Sequence, residues 1–215
     1  MLLLIDESIK MKQSRSATNG GGMPKLGMEP IRRDALVKAT IAEIGSHGTL
    51  DVTVSQIAQR AGMSSALAHH YFGGKEQIFV AAIRYMLGVY AGEVRGALAM
   101  ADSPQERLTA VVRASFSQRN FRADTVASWM NFYVLAQRSA EARHLLDIYH
   151  RRLRSNLRHG LRPLVGPRAD DVASRVAALI DGVYLRQSLG GRAPNRERAC
   201  EQVMGYVNLE LEKGL

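Results

Sequence analysis

The sequence predicts an all-α fold of about nine helices. Apolar residues recur at helical spacing along almost the whole chain. Alternating β-branched runs are few, and no convincing hairpin signal appears. Capping residues, glycines and prolines divide the chain at intervals that suit helices.

The first helix is expected over 31–46, with Leu36, Ala39 and Ile44 facing a core and Gly48 ending it. Thr53 to Arg60 reads as a short helix, since Thr53 and Gln56 have capping-box spacing. Ser64 or Ser65 caps the next, which ends near Tyr71 or Phe72, and Gly73-Gly74 breaks the chain. A long helix then runs from Lys75 to about Met100. Ser103, Pro104 and Glu106 form a strong start signal for a fifth helix reaching about Asn120. Four more follow at 124–137, 140–162, 169–189 and 195–212, punctuated by Gly160, Pro163, Gly166-Pro167 and Gly190-Gly191 with Pro194. Three domain-level segments result: 1–22, 23–76 and 77–215. The polar, glycine-ended 1–22 stretch reads either as a disordered extension or as an over-called upstream start, with Met23 as the natural first residue.

Composition narrows the function classes. The chain of 215 residues is 46% apolar, enough for a packed core. A formal charge of +9 points to a polyanionic partner, nucleic acid or an anionic surface. No apolar run approaches the about 18 residues that mark a spanning helix. Cys200, the single cysteine, fits a reducing cytoplasm. Enzyme chemistry finds no constellation: His69 and His70 are adjacent and diverge, His144 and His150 share no face well, and no glycine-rich phosphate loop appears. Neither a metal nor a cofactor is expected.

The segment 53–72 carries the functional signal. Val54, Ile57, Ala58 and Ala61 give its first helix an apolar stripe, and Gly62 suits a tight left-handed turn. Met63 plugs the junction, while Leu67, Ala68 and Phe72 hold the second helix to the core. Ser65, Ala66, His69, His70 and Tyr71 are then placed to face a major groove or phosphates, as in a helix-turn-helix. Thr53 and Ser64 start its two helices, and Arg32, Arg33 and Lys75 flank it as phosphate candidates. The segment 23–76 holds six basic and five acidic residues, whereas 137–168 holds eight Arg against two acids. The basic excess therefore lies outside the reader, where it reads as a solvated Arg-rich helix face or as long-range attraction to DNA.

The details of this motif resemble the TetR family of repressors. Thr53, Ile57-Ala58, Ala61-Gly62-Met63-Ser64, Tyr71-Phe72 and Lys75 match its signature, and the sequence departs from it at His69, where Tyr is usual. Met23-Pro24-Lys25-Leu26-Gly27-Met28, Ile31-Arg32-Arg33, His70-Tyr71-Phe72, Arg151-Arg152-Leu153 and Ala178-Leu179-Ile180-Asp181-Gly182 further resemble the BetI group, choline-responsive repressors of glycine betaine synthesis genes. The resemblance spans Met23 to about Leu211. It implies a three-helix DNA-binding domain, a C-terminal effector domain, a homodimer through the last two helices, a palindromic operator and repression relieved by a small molecule.

Choline is a quaternary cation, and such cations seek aromatic faces, Trp best. Trp129, the only Trp, shares a helix face with Phe132 and Tyr133; Tyr149 and Phe116 are candidates to complete a cage, with Asp181 or Asp147 as counter-charge. The alternatives are a repressor sensing a multidrug or other quaternary-amine ligand, and a sequence-neutral architectural DNA-binding protein.

Overall fold

The computed structural model describes residues 27–190 and 193–213. The expectation for 1–22 lies outside them. Among the described residues there are nine α-helices, one 3-10 turn and no strand. They are α1 (Met28–His47), α2 (Val54–Arg60), α3 (Ser65–Phe72), α4 (Lys75–Ala99), α5 (Pro104–Ser115), α6 (Ala123–Ala136), α7 (Ala140–Val165), α8 (Ala169–Leu189) and α9 (Arg196–Glu212), with the 3-10 turn Gly166–Arg168 between α7 and α8.

Local chemistry explains most of the boundaries. Thr53 accepts from the Gln56 amide while the Gln56 side chain accepts from the Thr53 amide, so the expected capping box starts α2. Ser103 and Glu106 repeat the device at α5 behind Pro104. Ser64 caps α3, accepting from the Leu67 amide at 3.3 Å. Between α2 and α3, Gly62 sits at φ 68°, a backbone region that a side chain makes costly.

Three boundaries differ from expectation. α1 begins at Met28, ahead of 31, because Pro30 in a first turn gives up only an amide that has no intrahelical partner. α7 continues through Pro163 to Val165. That proline falls in the last turn on an exposed face, where giving up one intrahelical bond is least costly. α5 stops at Ser115, short of Asn120. There the chain turns to bury both Phe116 and Phe121, whose rings meet edge-on at 5.3 Å, and the Asn120 amide caps the Ala114 carbonyl at 3.2 Å.

α1, α2 and α3 form the N-terminal unit, pinned by Leu36, Val52, Ile57 and Ala68, all essentially without solvent exposure. Glu43 of α1 is buried and accepts from Arg60 Nε of α2, with His47 Nδ1 3.2 Å away. A buried carboxylate holds its place only when so paired. In the C-terminal unit α7 is central, packing on α8, α5, α6 and α4. α6 bridges the two units, with α1 on one side and α7 and α8 on the other. At that junction a Cβ on Gly45 would lie 2.6 Å from Asp124 Cβ, so only glycine lets α1 and α6 approach this closely. Ser128 donates to the Ile41 carbonyl at 3.1 Å, and Asn131 to the Gly48 carbonyl at 3.2 Å. No described helix is long and apolar enough to cross a membrane.

Candidate functional site

Two sites emerge, one on each unit. On the N-terminal unit, Ala66, His69 and His70 of α3 are exposed side by side, and Ser65 is half-buried with its hydroxyl 3.3 Å from Ser55 Oγ of α2. His69 Nδ1 lies 3.1 Å from the Gly73 carbonyl, which ties its ring to the end of α3. Thr53 and Ser64 spend their hydroxyls as helix caps, at the amino ends of α2 and α3.

Tyr71 departs from the expected outward orientation. Its ring is half-buried against the core, because the inner stripe of α3 runs through Ala68, Tyr71 and Phe72. Arg32 Nη1 donates to the Tyr71 hydroxyl at 3.4 Å. The Arg33 guanidinium stands 5.1 Å from the Phe72 ring centre and 5.6 Å from that of Tyr71. Lys75 is exposed at the start of α4, with its ammonium 5.6 Å from the Phe79 ring. The flanking cations Arg32 and Arg33 thus gather at the carboxyl end of α3. They are held by aromatic faces and by Glu29, which accepts from Arg33 Nε at 2.8 Å.

Some of the arginines of α7 and of the turn after it are tied to neighbouring groups. Arg154 and Arg158 pair with Asp170, Arg168 with Glu210, and Arg143 donates to the Ala136 and Gln137 carbonyls.

The second site is a small cavity among α4, α5, α6, α7 and α8. Tyr90, Ser115, Asn120, Trp129, Tyr133, Tyr149, Ile180, Asp181 and Tyr184 line it, around 20 Å³, room for about one water. Trp129 and Tyr149 meet at 5.4 Å between ring centres, Tyr90 and Tyr149 at 5.6 Å, and Trp129 and Tyr133 at 6.5 Å. Asp181 Oδ1 accepts from the Tyr149 hydroxyl at 2.9 Å and, at the long limit of 3.5 Å, from that of Tyr133. On the solvent side His150 Nε2 stands 3.5 Å from Asp181 Oδ2. Burial drives the Tyr90 phenol up to about 12 and raises those of Tyr133, Tyr149 and Tyr184, with Asp181 adding to the first three. All four therefore keep their protons at neutral pH. The hydrogen bond to Asp181 raises His150.

Of the six residues proposed for an effector cage, Trp129, Tyr133, Tyr149 and Asp181 come together. Phe132 and Phe116 do not line the cavity. Phe132 is turned by one helix position toward α1 and α4, where it packs beside Ile41, Phe79 and Met86, and it supports the cage from behind Trp129 and Tyr133. Phe116 is wholly buried against Phe121. Tyr90, Ser115, Asn120, Ile180 and Tyr184 were not anticipated. Tyr184 lies three residues past Asp181 on α8, a spacing that marks a shared face; for Tyr90 on α4 no local signal exists.

Comparison with known proteins places this geometry in a lineage. Residues 36–82 match the family model described as bacterial regulatory proteins, tetR family, and residues 104–212 match that of the BetI-type transcriptional repressor, C-terminal. The HTH-type transcriptional regulator BetI of Rhizobium meliloti is 50% identical over 190 residues, 88% of this chain and 94% of that protein. Its namesake from Brucella anthropi is 46% identical over 190 residues, 88% of this chain and 98% of the relative. Among solved structures, a putative transcriptional regulator from Pseudomonas aeruginosa PAO1 superposes with a TM-score of 0.74 at 24% identity, covering 86% of this chain and 95% of that one. A putative transcriptional regulator from Saccharomonospora viridis, solved in complex with choline, superposes with a TM-score of 0.72 at 21% identity, covering 83% and 96%. At such identities the structural likeness speaks to the fold alone. Together with the relatives' identity over nearly their full length, the two family matches show that this chain belongs to the TetR family of transcriptional regulators, with a C-terminal domain of the BetI type.

Proposed function

We propose that this chain is a homodimeric repressor of choline-to-glycine-betaine genes, that α2 and α3 read a palindromic operator, and that choline entering the tyrosine-lined cavity relieves repression. The observation that carries the effector reading is the cavity itself: four tyrosines and the only tryptophan around one carboxylate. Ring faces attract a quaternary ammonium that carries no hydrogen-bond donor of its own, and Asp181 balances its charge. The 20 Å³ volume is smaller than choline, so binding requires the walls to part. Two of those walls, Trp129 and Tyr133, are on α6, whose other face holds α1 through Gly45, Ile41 and Gly48. Displacing α6 therefore bears on the unit that carries the reader, and a ligand that favours the displaced arrangement weakens the other.

Support for pairing through α8 and α9 comes from Leu185, Leu189 and Leu209, which are 42%, 75% and 57% exposed on those two helices. A two-fold dimer reads a palindrome with one α3 per half-site. The reading is tested by operator binding on the DNA upstream of this protein's own gene, with and without choline. Release by choline but not by unrelated organic cations supports it. Release by many chemically diverse cations would favour a broad multidrug sensor, and no preference over random DNA would favour an architectural protein.

A further inference from the structure

The cavity's hydrogen-bonding inventory is one-sided. Tyr149 and Tyr133 direct their hydroxyl protons to Asp181, and Tyr184 directs its proton to the backbone carbonyl of Asn120. Ser115 donates its single proton to the Val111 carbonyl at 3.0 Å, so in the 3.2 Å contact between Tyr90 and Ser115 the tyrosine is the donor. All four tyrosine protons are thereby engaged within the protein.

Asn120 completes the pattern. Its side-chain nitrogen lies 2.7 Å from Glu93 Oε2 and 3.2 Å from the Ala114 carbonyl. Both partners only accept, which settles which end of the amide is nitrogen and uses both of its protons. The side chain is left with its carbonyl oxygen, Oδ1, in a residue that lines the cavity and is only 5% exposed. Glu93 also accepts from the Ser117 hydroxyl, which anchors it across the turn between α5 and α6. One wall of the cavity thus presents a carboxylate to a positive charge, and another is lined by Asn120, whose Oδ1 accepts no hydrogen bond among the described residues.

We infer that Asn120 is a specificity-determining residue that accepts the hydroxyl proton of an alcohol-bearing organic cation, and that Glu93 is a positioning residue that keeps the Asn120 amide turned with its oxygen available. This rests on the cation-cage reading above and deepens it, because it assigns a separate element of the site to the alcohol. A ligand of the same shape without a hydroxyl fills the cage but leaves Asn120 Oδ1 buried and unpaired, which is unfavourable.

The test uses the full-length protein and the fluorescence of Trp129, the only tryptophan, titrated with choline and with propyltrimethylammonium, in which a methyl group replaces the hydroxyl. The wild type is expected to bind choline about tenfold or more tighter than the isostere, the effect of one well-placed buried hydrogen bond. Asn120→Leu and, more gently, Glu93→Gln are expected to shrink that ratio toward one while propyltrimethylammonium affinity persists. Glu93→Gln guards against a folding defect in the leucine variant, because it alters the amide's partner and not the cavity wall. A wild-type ratio near one overturns the hydroxyl assignment and leaves the cage intact. A large ratio that survives in both folded variants overturns the roles of Asn120 and Glu93. No saturable response to either cation overturns the cage reading, and this inference with it.

Discussion

The reader and the cavity treat their polar groups in opposite ways. On α3, Ala66, His69 and His70 stand exposed, and the Arg33 guanidinium lies exposed over the Tyr71 and Phe72 rings. In the cavity every tyrosine proton is engaged and the only charge within it is a carboxylate. The contrast fits what each must recognise. A reader of DNA approaches a hydrated polyanion and selects by many contacts that replace water. A cage for a cation with little hydrogen-bonding capacity of its own selects by shape, ring faces and one or two committed oxygens.

The largest test of the contrast is removal of the cage's biggest wall. Trp129→Ala is expected to cost about 3–5 kcal/mol of stability, because Trp129 is buried among Phe132, Tyr133 and Tyr149. It should also abolish choline-induced operator release while operator binding persists below the variant's melting temperature. Circular dichroism and fluorescence anisotropy measure the two effects, and a folded variant that still released DNA normally would remove Trp129 from the site.

Next comes the seam between the two regions. Gly45→Ala places a Cβ where Asp124 already stands, and is expected to cost about 1–3 kcal/mol by prising α1 from α6. If the seam transmits the signal, the ratio of operator affinities with and without choline changes as well. Thermal unfolding and paired binding curves check this, and an unchanged ratio would place the coupling elsewhere.

Within the reader, two substitutions separate base reading from phosphate attraction. His70→Ala is expected to weaken operator binding by about 1–3 kcal/mol and to leave the salt dependence intact. Lys75→Ala is expected to weaken specific and random DNA alike and to lower the salt slope by about 1. Exchanged outcomes would reverse the two roles.

The smallest effect concerns pH. His150 is raised above its usual 6.5 by its hydrogen bond to Asp181. Its small stabilising contribution is therefore complete below 6.5 and is lost as pH rises through the raised value. Losing that proton also frees Asp181 for a bound cation. Choline affinity should then rise about two- to fivefold across this window, modestly because the histidine is half-exposed. His150→Gln should flatten the profile, as read by Trp129 fluorescence at several pH values.

The same comparison explains what could be read in the sequence. The reader is a continuous segment, and its caps, turn glycine and apolar stripe are set by neighbours within four residues; Thr53, Gln56, Gly62 and Ser64 therefore behave as their spacing implies. Even there Tyr71 packs partly against the core, since helix spacing alone does not tell which edge of a stripe meets it. The cavity draws on five helices and on residues from 90 to 184, so its membership depends on tertiary register. Trp129, Tyr133, Tyr149 and Asp181 were legible as aromatic and acidic residues in the C-terminal helices. Phe132 shares their face but falls across the line where α6 turns from the cavity to α1. Asn120 was hidden because α5 was expected to run through it, whereas the burial of Phe116 and Phe121 bends the chain into a turn.

The central claim, that a cation in the cavity loosens the reader, is tested most directly by one titration of choline into the protein bound to fluorescent operator, with Trp129 emission and operator anisotropy read together. A Trp129 change and operator release that share a midpoint are the predicted result. Operator release without any change at Trp129, or Trp129 saturation with the operator still fully bound, would contradict it.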